Sequence, residues 1–388
     1  MAYKKSAAVS SGNLISGTQK VSVGNISQDR INVKPDPDYF LNVYRRFFMQ
    51  RISQDLLNSR KIIHPRTPYF TCHRSYINSI VSVYRNPESR RGYFQSVATC
   101  GNAKSCPVCS PRILGTRSTE IKNAVHKWLN LDSNNTCYLL TLTFSHSAGD
   151  RLESLLFAFS ESVQRFWRNG SVKRAFCGHG YIGRITSLEV QYSLKHGFHP
   201  HQHVLIFCHR GLYNVDALQK HWLHALENSG LTGLSNIALD LIEARSAEDY
   251  LTKISSEMAL GNLKQGRGTG HYSPLQVLAE VCQGESWAKN VWCEYFQATR
   301  GIHSLYWSKH LRGFFFLDDC SDLDIAAGSD LDSLDLFCEF PCEYYRHLSS
   351  QFKAHLLSYA ACGNYQAASE LFRTLGFPMW EKYTGNLL

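Results

Sequence analysis

The chain has 388 residues, 44% of them hydrophobic, which fits one large domain or two to three modest ones with a core that needs no disulfides. Its formal net charge of +9, from 41 Lys+Arg against 32 Asp+Glu, favours a polyanionic partner. No run of 18 apolar residues and no apolar leader is present, so the expectation is a cytoplasmic protein without a membrane-spanning helix.

Residues 1–35 are rich in Ser, Gly, Asn and Gln and read as a disordered segment. The basic charge is concentrated at the front, with 20 Lys+Arg against 6 Asp+Glu over residues 1–130. Residues 317–345 hold many acids and no base, so the front and middle are the parts expected to meet nucleic acid. Residues 38–60 have the apolar spacing of a helix. Residues 69–112 look irregular and hold four of the thirteen cysteines. An odd cysteine count at irregular spacing, without export, reads as reduced thiols. In CGNAKSCPVC, Cys106 and Cys109 form a C-x-x-C knuckle that with Cys100 is suited to grip a structural Zn²⁺. Cys72 is the preferred fourth ligand and His73 the second choice. A knuckle beside Arg112 and Arg117 would make a rigid basic module for duplex DNA.

The middle of the chain alternates regularly. Residues 137–144, 181–192, 201–207 and 236–243 are strand-like, and residues 151–168, 214–227 and 247–260 are helical. The order strand-helix-strand-strand-helix-strand predicts an α+β, ferredoxin-like (split βαβ) core. Its antiparallel sheet should carry helices on one face and leave the other open to a ligand. A Gly-rich stretch follows, in which Lys264 and Arg267 lie among four glycines and suit contact with a phosphate chain; a solvated loop is an equal reading. Residues 276–306 and 344–376 read as helical.

The chemistry concentrates in FHPHQHVLIF, residues 198–207. Side chains two apart on a strand share a face, so His199, His201 and His203 project together and a pair of them can hold a divalent cation. The alternative is a row of hydrogen-bonded histidines. A hard cation such as Mg²⁺ or Mn²⁺ also wants oxygen, and Glu189 on the neighbouring strand supplies it if 181–192 and 201–207 form a hairpin. On the following helix Tyr250, Lys253 and Glu257 share one face. A phenol of pKa about 10 is a poor nucleophile unless positive charge lies nearby. The cation and Lys253 would both provide it.

LLTLTFSH (139–146), HPHQHVLIF and DYLTKISSE (249–257) together resemble the three motifs of a rolling-circle plasmid replication initiator (Rep) of the HUH endonuclease superfamily. The resemblance spans roughly residues 95–312. It implies that His201 and His203 bind the cation with Glu189, and that Tyr250 cleaves one DNA strand, keeping its 5′ phosphate and freeing a 3′ hydroxyl primer. Lys253 takes the place of the motif lysine. Three departures stand out. The middle of the histidine triplet is Gln202, position 254 is Ile rather than a second tyrosine, and Ser246 stands where some relatives have a glutamate. Glu257 or Glu248 would then activate water, or a second subunit would finish the cycle in a homodimer.

The expected organisation is therefore a disordered segment (1–35), a basic helical and zinc-knuckle region (36–130), an HUH nuclease core (131–312), an acidic linker (313–345) and a helical end (346–388). Plasmid origin DNA, single-stranded or as a hairpin at the nick, is the expected partner, with a host helicase and DNA polymerase because the chain has no G-x-x-x-x-G-K-[ST] motif. A transposase or mobilisation relaxase, or a non-catalytic zinc-dependent DNA-binding regulator, are the rival readings.

Overall fold

The computed structural model describes residues 34–211, 213–243, 270–303, 305–328 and 334–377. Helix α1 (Pro37–Ser59) leads to a single helical turn, α2 (Pro68–Thr71), and to the hairpin β1 (Ile80–Asn86) and β2 (Arg91–Gln95). Helix α3 (Cys109–Leu131) precedes β3 (Asn135–Leu142), α4 (Leu152–Arg168) and α5 (Gly170–Cys177). Next come β4 (Gly183–Ser193), β5 (Gly197–His209), α6 (Val215–Glu227) and β6 (Leu239–Glu243). Beyond β7 (His271–Tyr272) lie α7 (Pro274–Cys282), α8 (Ser286–Ala298) and β8 (Leu305–Trp307). The short α9 (Leu311–Phe314) and α10 (Asp322–Ala327) lead to β9 (Asp335–Pro341), α11 (Cys342–Tyr345), α12 (Ser350–Cys362) and α13 (Tyr365–Thr374).

The fold is mixed α and β, with two antiparallel sheets. The larger has the order β6-β3-β5-β4-β7, and β8 also pairs with β4. Its strands follow from sequence in the simplest way, since β3 and β5 alternate between two faces. Tyr138, Leu140, Leu142, Val204, Ile206 and Cys208 lie on one face, buried under α4 and α6. Those helices present Leu155, Phe159 and Phe166, and Leu218 and Trp222, at helical spacing. Each such side chain, fully buried, contributes on the order of 1.5–3 kcal/mol. The tight return between β4 and β5 depends on Gly197 at φ 76°; a Cβ there would meet the Ala148 backbone at 2.9 Å.

The opposite face, expected to be open, is half covered. Ile121, Ala124, Val125 and Trp128 of α3 pack on Cys137, Leu139, Ile185, Leu205 and Phe207. The other half of that face is polar and holds the histidines. Helix α3 escapes a sequence reading because Pro, Gly, Ser and Thr crowd its first turns; its buried side chains supply what propensity lacks.

The second sheet corrects the domain boundaries. Its order is β2-β1-β9, so residues 335–341, expected within an acidic linker, form a strand paired with β1. Phe337, Cys338 and Phe340 are fully buried against residues of α1, β1 and α12. The first and last thirds of the described chain thus share one core, and the region expected to be irregular contains a hairpin. The single helical stretch expected over 276–306 is broken at Gly284, φ 97°, and ends in β8. The segment 1–33 and the helix expected over 247–260 lie outside the described residues.

Phe340→Ala should cost about 3–5 kcal/mol, because the ring is fully buried and its neighbours belong to a sheet and two helices that cannot all collapse into the space. Urea denaturation would measure it.

Candidate metal centre

Antiparallel pairing of β4 with β5 sets Glu189 opposite His201, Ser187 opposite His203 and Gln191 opposite His199. All six point to the polar half of the sheet face. The Glu189 Oε2 atom lies 3.0 Å from His201 Nε2 and 3.4 Å from His203 Nε2. One donor atom from each of the three falls within 4.8 Å of the others. The group is buried, with Glu189 4%, His201 9% and His203 6% exposed. Gln191 Nε2 donates to the other Glu189 oxygen at 2.9 Å, and the Thr141 hydroxyl lies 3.2 Å from His203 Nδ1, fixing the ring orientation.

Burial alone would raise the Glu189 carboxyl, but hydrogen bonds from His201 and His203 hold it well below the usual carboxylate range. One ionised oxygen and two ring nitrogens therefore converge in a buried site. That donor set fits a divalent cation with open positions. Among the described residues, the buried His201 Nδ1 has no hydrogen-bond partner.

His199 does not join this trio. Its Nδ1 lies 2.6 Å from His146 Nε2, and its Nε2 lies 3.3 Å from the Thr143 hydroxyl. Burial pushes His199 down to about 4 and lowers His146 as well, so the pair shares a hydrogen bond as neutral rings. His146 was not singled out from sequence, although it ends the LLTLTFSH motif. Gln202 faces the other side of β5, and among the described residues its buried Oε1 has no hydrogen-bond partner.

The four cysteines form a second group. Cys72 Sγ lies 3.5 Å from Cys109 Sγ and 3.9 Å from Cys106 Sγ, and Cys100 Sγ lies 3.8 Å from Cys109 Sγ. Metal–sulfur bonds of about 2.3 Å in a tetrahedron imply edges near 3.8 Å, so the cluster has the dimensions of a tetrathiolate site. Cys72 is the fourth member; His73 instead points its Nδ1 at the Tyr345 hydroxyl, 3.1 Å away. Hydrogen bonds from Cys100, Cys106 and Cys72 hold the Cys109 thiol well below its ordinary range. The Cys109 amide and Gln50 Nε2 both donate to Cys106 Sγ at 3.4 Å.

The loop between these cysteines reaches the first group. Asn102 Oδ1 accepts from the amides of Lys104 and Ser105, and the Lys104 ammonium donates to the Leu188 carbonyl at 3.0 Å. Lys104 is 4% exposed, and burial lowers it to about 8 against the opposing charges of Glu189 and Asp322. A cation is thus built in one residue from the Glu189 carboxylate.

Of the residues expected to contact DNA, Arg117 is corrected. It is 7% exposed, and its guanidinium binds Glu120 and Asp322, each at 2.9 Å, and the Cys320 carbonyl. Arg312 completes the network on Glu120. The charge of Arg117 is consumed inside the protein. Arg112 lies over the Tyr93 ring at 4.8 Å. Tyr250, Lys253, Glu257, Lys264 and Arg267 lie outside the described residues.

Mn²⁺ titrated into the protein should bind one site more weakly by at least tenfold in His201→Ala and in His203→Ala. Calorimetry checks this; equal affinity in both variants would remove these imidazoles from the ligand set.

Residues 92–228 match the family model described as "Replication protein". That stretch holds Cys100, Cys106, Cys109, His146, Glu189, His201 and His203. The chain is 27% identical over 316 residues to "Protein rep" of Streptomyces lividans, covering 61% of this chain and 69% of that one. It is 32% identical over 133 residues to the "Neomycin resistance protein" of Streptomyces cyanogenus, covering 28% of this chain and 30% of that one. No solved structure matches. Through residues 92–228 the chain is thus similar to replication proteins, in line with the resemblance read from the motifs.

Proposed function

We propose that the protein is a plasmid replication initiator that nicks one strand of its origin and leaves a primer for rolling-circle synthesis. The observation that carries the reading is the convergence of Glu189, His201 and His203 inside the replication-protein domain. The order β6-β3-β5-β4 supports a split-βαβ, HUH-type core, because each of the two helical crossovers skips one intervening strand.

In this reading Glu189, His201 and His203 hold Mg²⁺ or Mn²⁺, which supplies positive charge to a scissile phosphate when bound. Gln191 and Thr141 keep the carboxylate and the His203 ring in place. Lys104 adds a fixed positive charge on the same stretch of β4. The Tyr250 oxygen attacks phosphorus, forming a phosphotyrosine ester as the bond to the 3′ oxygen breaks. The phenolic proton leaves with the departing side, so the products are a 5′-linked strand and a free 3′ hydroxyl. Lys253 eases ionisation of the phenol, and Glu257 activates water for release. The roles of these three rest on the Y-x-x-K resemblance. The Cys72, Cys100, Cys106 and Cys109 cluster suits a structural Zn²⁺, since four thiolates leave no open position for chemistry. Origin DNA is the substrate, and a host helicase and polymerase would extend the primer.

Incubation with Mn²⁺ and an origin-bearing oligonucleotide should give a protein–DNA adduct on a denaturing gel. Tyr250→Phe should abolish it while retaining DNA binding, and mass spectrometry of the wild-type adduct should find DNA on the Tyr250 peptide. Binding with no adduct from the wild type would instead favour a regulator. Separately, removing zinc should loosen residues 70–115 to protease; unchanged resistance would count against the tetrathiolate site.

A further inference from the structure

A cavity between α1, the β1–β2 hairpin and the start of α3 encloses about 110 Å³. Arg46, Arg91 and Arg112 line it with Tyr93, Phe47 and His73, and its lining contains no aspartate or glutamate. Arg74 pairs with Asp55, Arg85 with Asp335, and Arg117 with Glu120 and Asp322. Among the described residues, no carboxylate forms an ion pair with any of the three cavity arginines. Desolvation and the neighbouring Arg91 charge both pull Arg46 below its ordinary range. Arg46 and Arg91 are exposed and Arg112 is partly buried, so three guanidiniums converge where an anion from solvent can join them.

Of the clustered thiols, Cys109 also lines the cavity. The base that faces them is Lys353, which is buried, feels the Cys72 charge and donates to the His73 carbonyl at 2.6 Å. The walls are also held firmly. The Tyr39 hydroxyl accepts from the Gly92 amide at 2.9 Å, tying β2 to α1 beside Arg91. A Cβ at Gly92 would stand 2.5 Å from the Leu357 carbonyl oxygen, so the hairpin rests directly on α12.

Size selects the ligand. One water needs roughly 10–15 Å³ of such space, whereas sites that enclose whole organic ligands run to about 300–1,000 Å³. The cavity suits a phosphate group whose sugar and base stay outside. Guanidinium forks match phosphate oxygens in geometry and charge. We propose that this cavity seats a phosphate group, with Arg46, Arg91 and Arg112 as its donors. The phosphate belongs to a DNA chain or to a free nucleotide, and the proposal stands apart from the strand-cleavage reading.

The test uses the full chain without added divalent cation, with a labelled oligothymidylate, a random-sequence duplex, dTMP and inorganic phosphate as probes. Arg46→Ala and Arg91→Ala should each weaken oligonucleotide binding several-fold. Each should also lower the slope of log affinity against log salt by about one. Arg46→Lys should keep the slope, and Arg165→Ala, which removes an arginine bridged to Glu161 on α4, should change neither. Unaltered unfolding midpoints and zinc content show that the variants are folded. Calorimetric binding of dTMP and phosphate that is lost in Arg46→Ala, with unchanged oligonucleotide slopes, would assign the pocket to a free nucleotide. No change with any probe would overturn the proposal, whatever the adduct assay gives.

Discussion

The register between β4 and β5 governs the chemistry available to this protein. Strand side chains have a period of two, so a slip of one residue would send every second side chain to the opposite face. In the observed register, Ile185 meets Leu205 while Glu189 meets His201. One continuous face is therefore apolar at one end and ligand-rich at the other. Helix α3 seals the apolar end. Burying Leu205 and Phe207 pins the same register that aligns the imidazoles with the carboxylate, so packing energy and site geometry are one constraint.

The cysteine cluster extends this logic to the rest of the chain. Its members come from the residue after α2, the loop after β2 and the first position of α3. Drawing them together fixes where α3 begins, and hence how it lies across the sheet. The loop between Cys100 and Cys106 also delivers Lys104 to the Leu188 carbonyl. The two metal-type sites are therefore mechanically joined through a few residues of backbone.

Much of the site was legible because it is local. Alternating histidines need only strand periodicity, and a C-x-x-C pair needs only its spacing. Glu189 required one further step, the assumption of a hairpin, and β4 and β5 do pair. The parts that escaped are those decided across long distances in sequence. Helix α3 has weak propensity and exists through what it covers, and β9 hides in an acidic stretch because its partner, β1, lies some 250 residues earlier. Arg117 looked like a surface cation, since nothing near it in sequence announces Asp322. Conversely, a three-arginine cavity has no motif at all; Arg46, Arg91 and Arg112 sit on three separate elements.

The pairing of β1 with β9 carries a consequence for synthesis. Residues 80 and 341 are neighbours in the finished sheet, yet translation delivers them far apart in time. Until the later strand emerges, one flank of β1 has unsatisfied amides and carbonyls, and the apolar side chains destined for Phe337 and Phe340 lack a cover. The nascent chain must therefore hold a half-built sheet through most of its production. Closing so long a loop is slow on entropic grounds, which makes this junction the place where assembly of the polypeptide is most open to wrong partners.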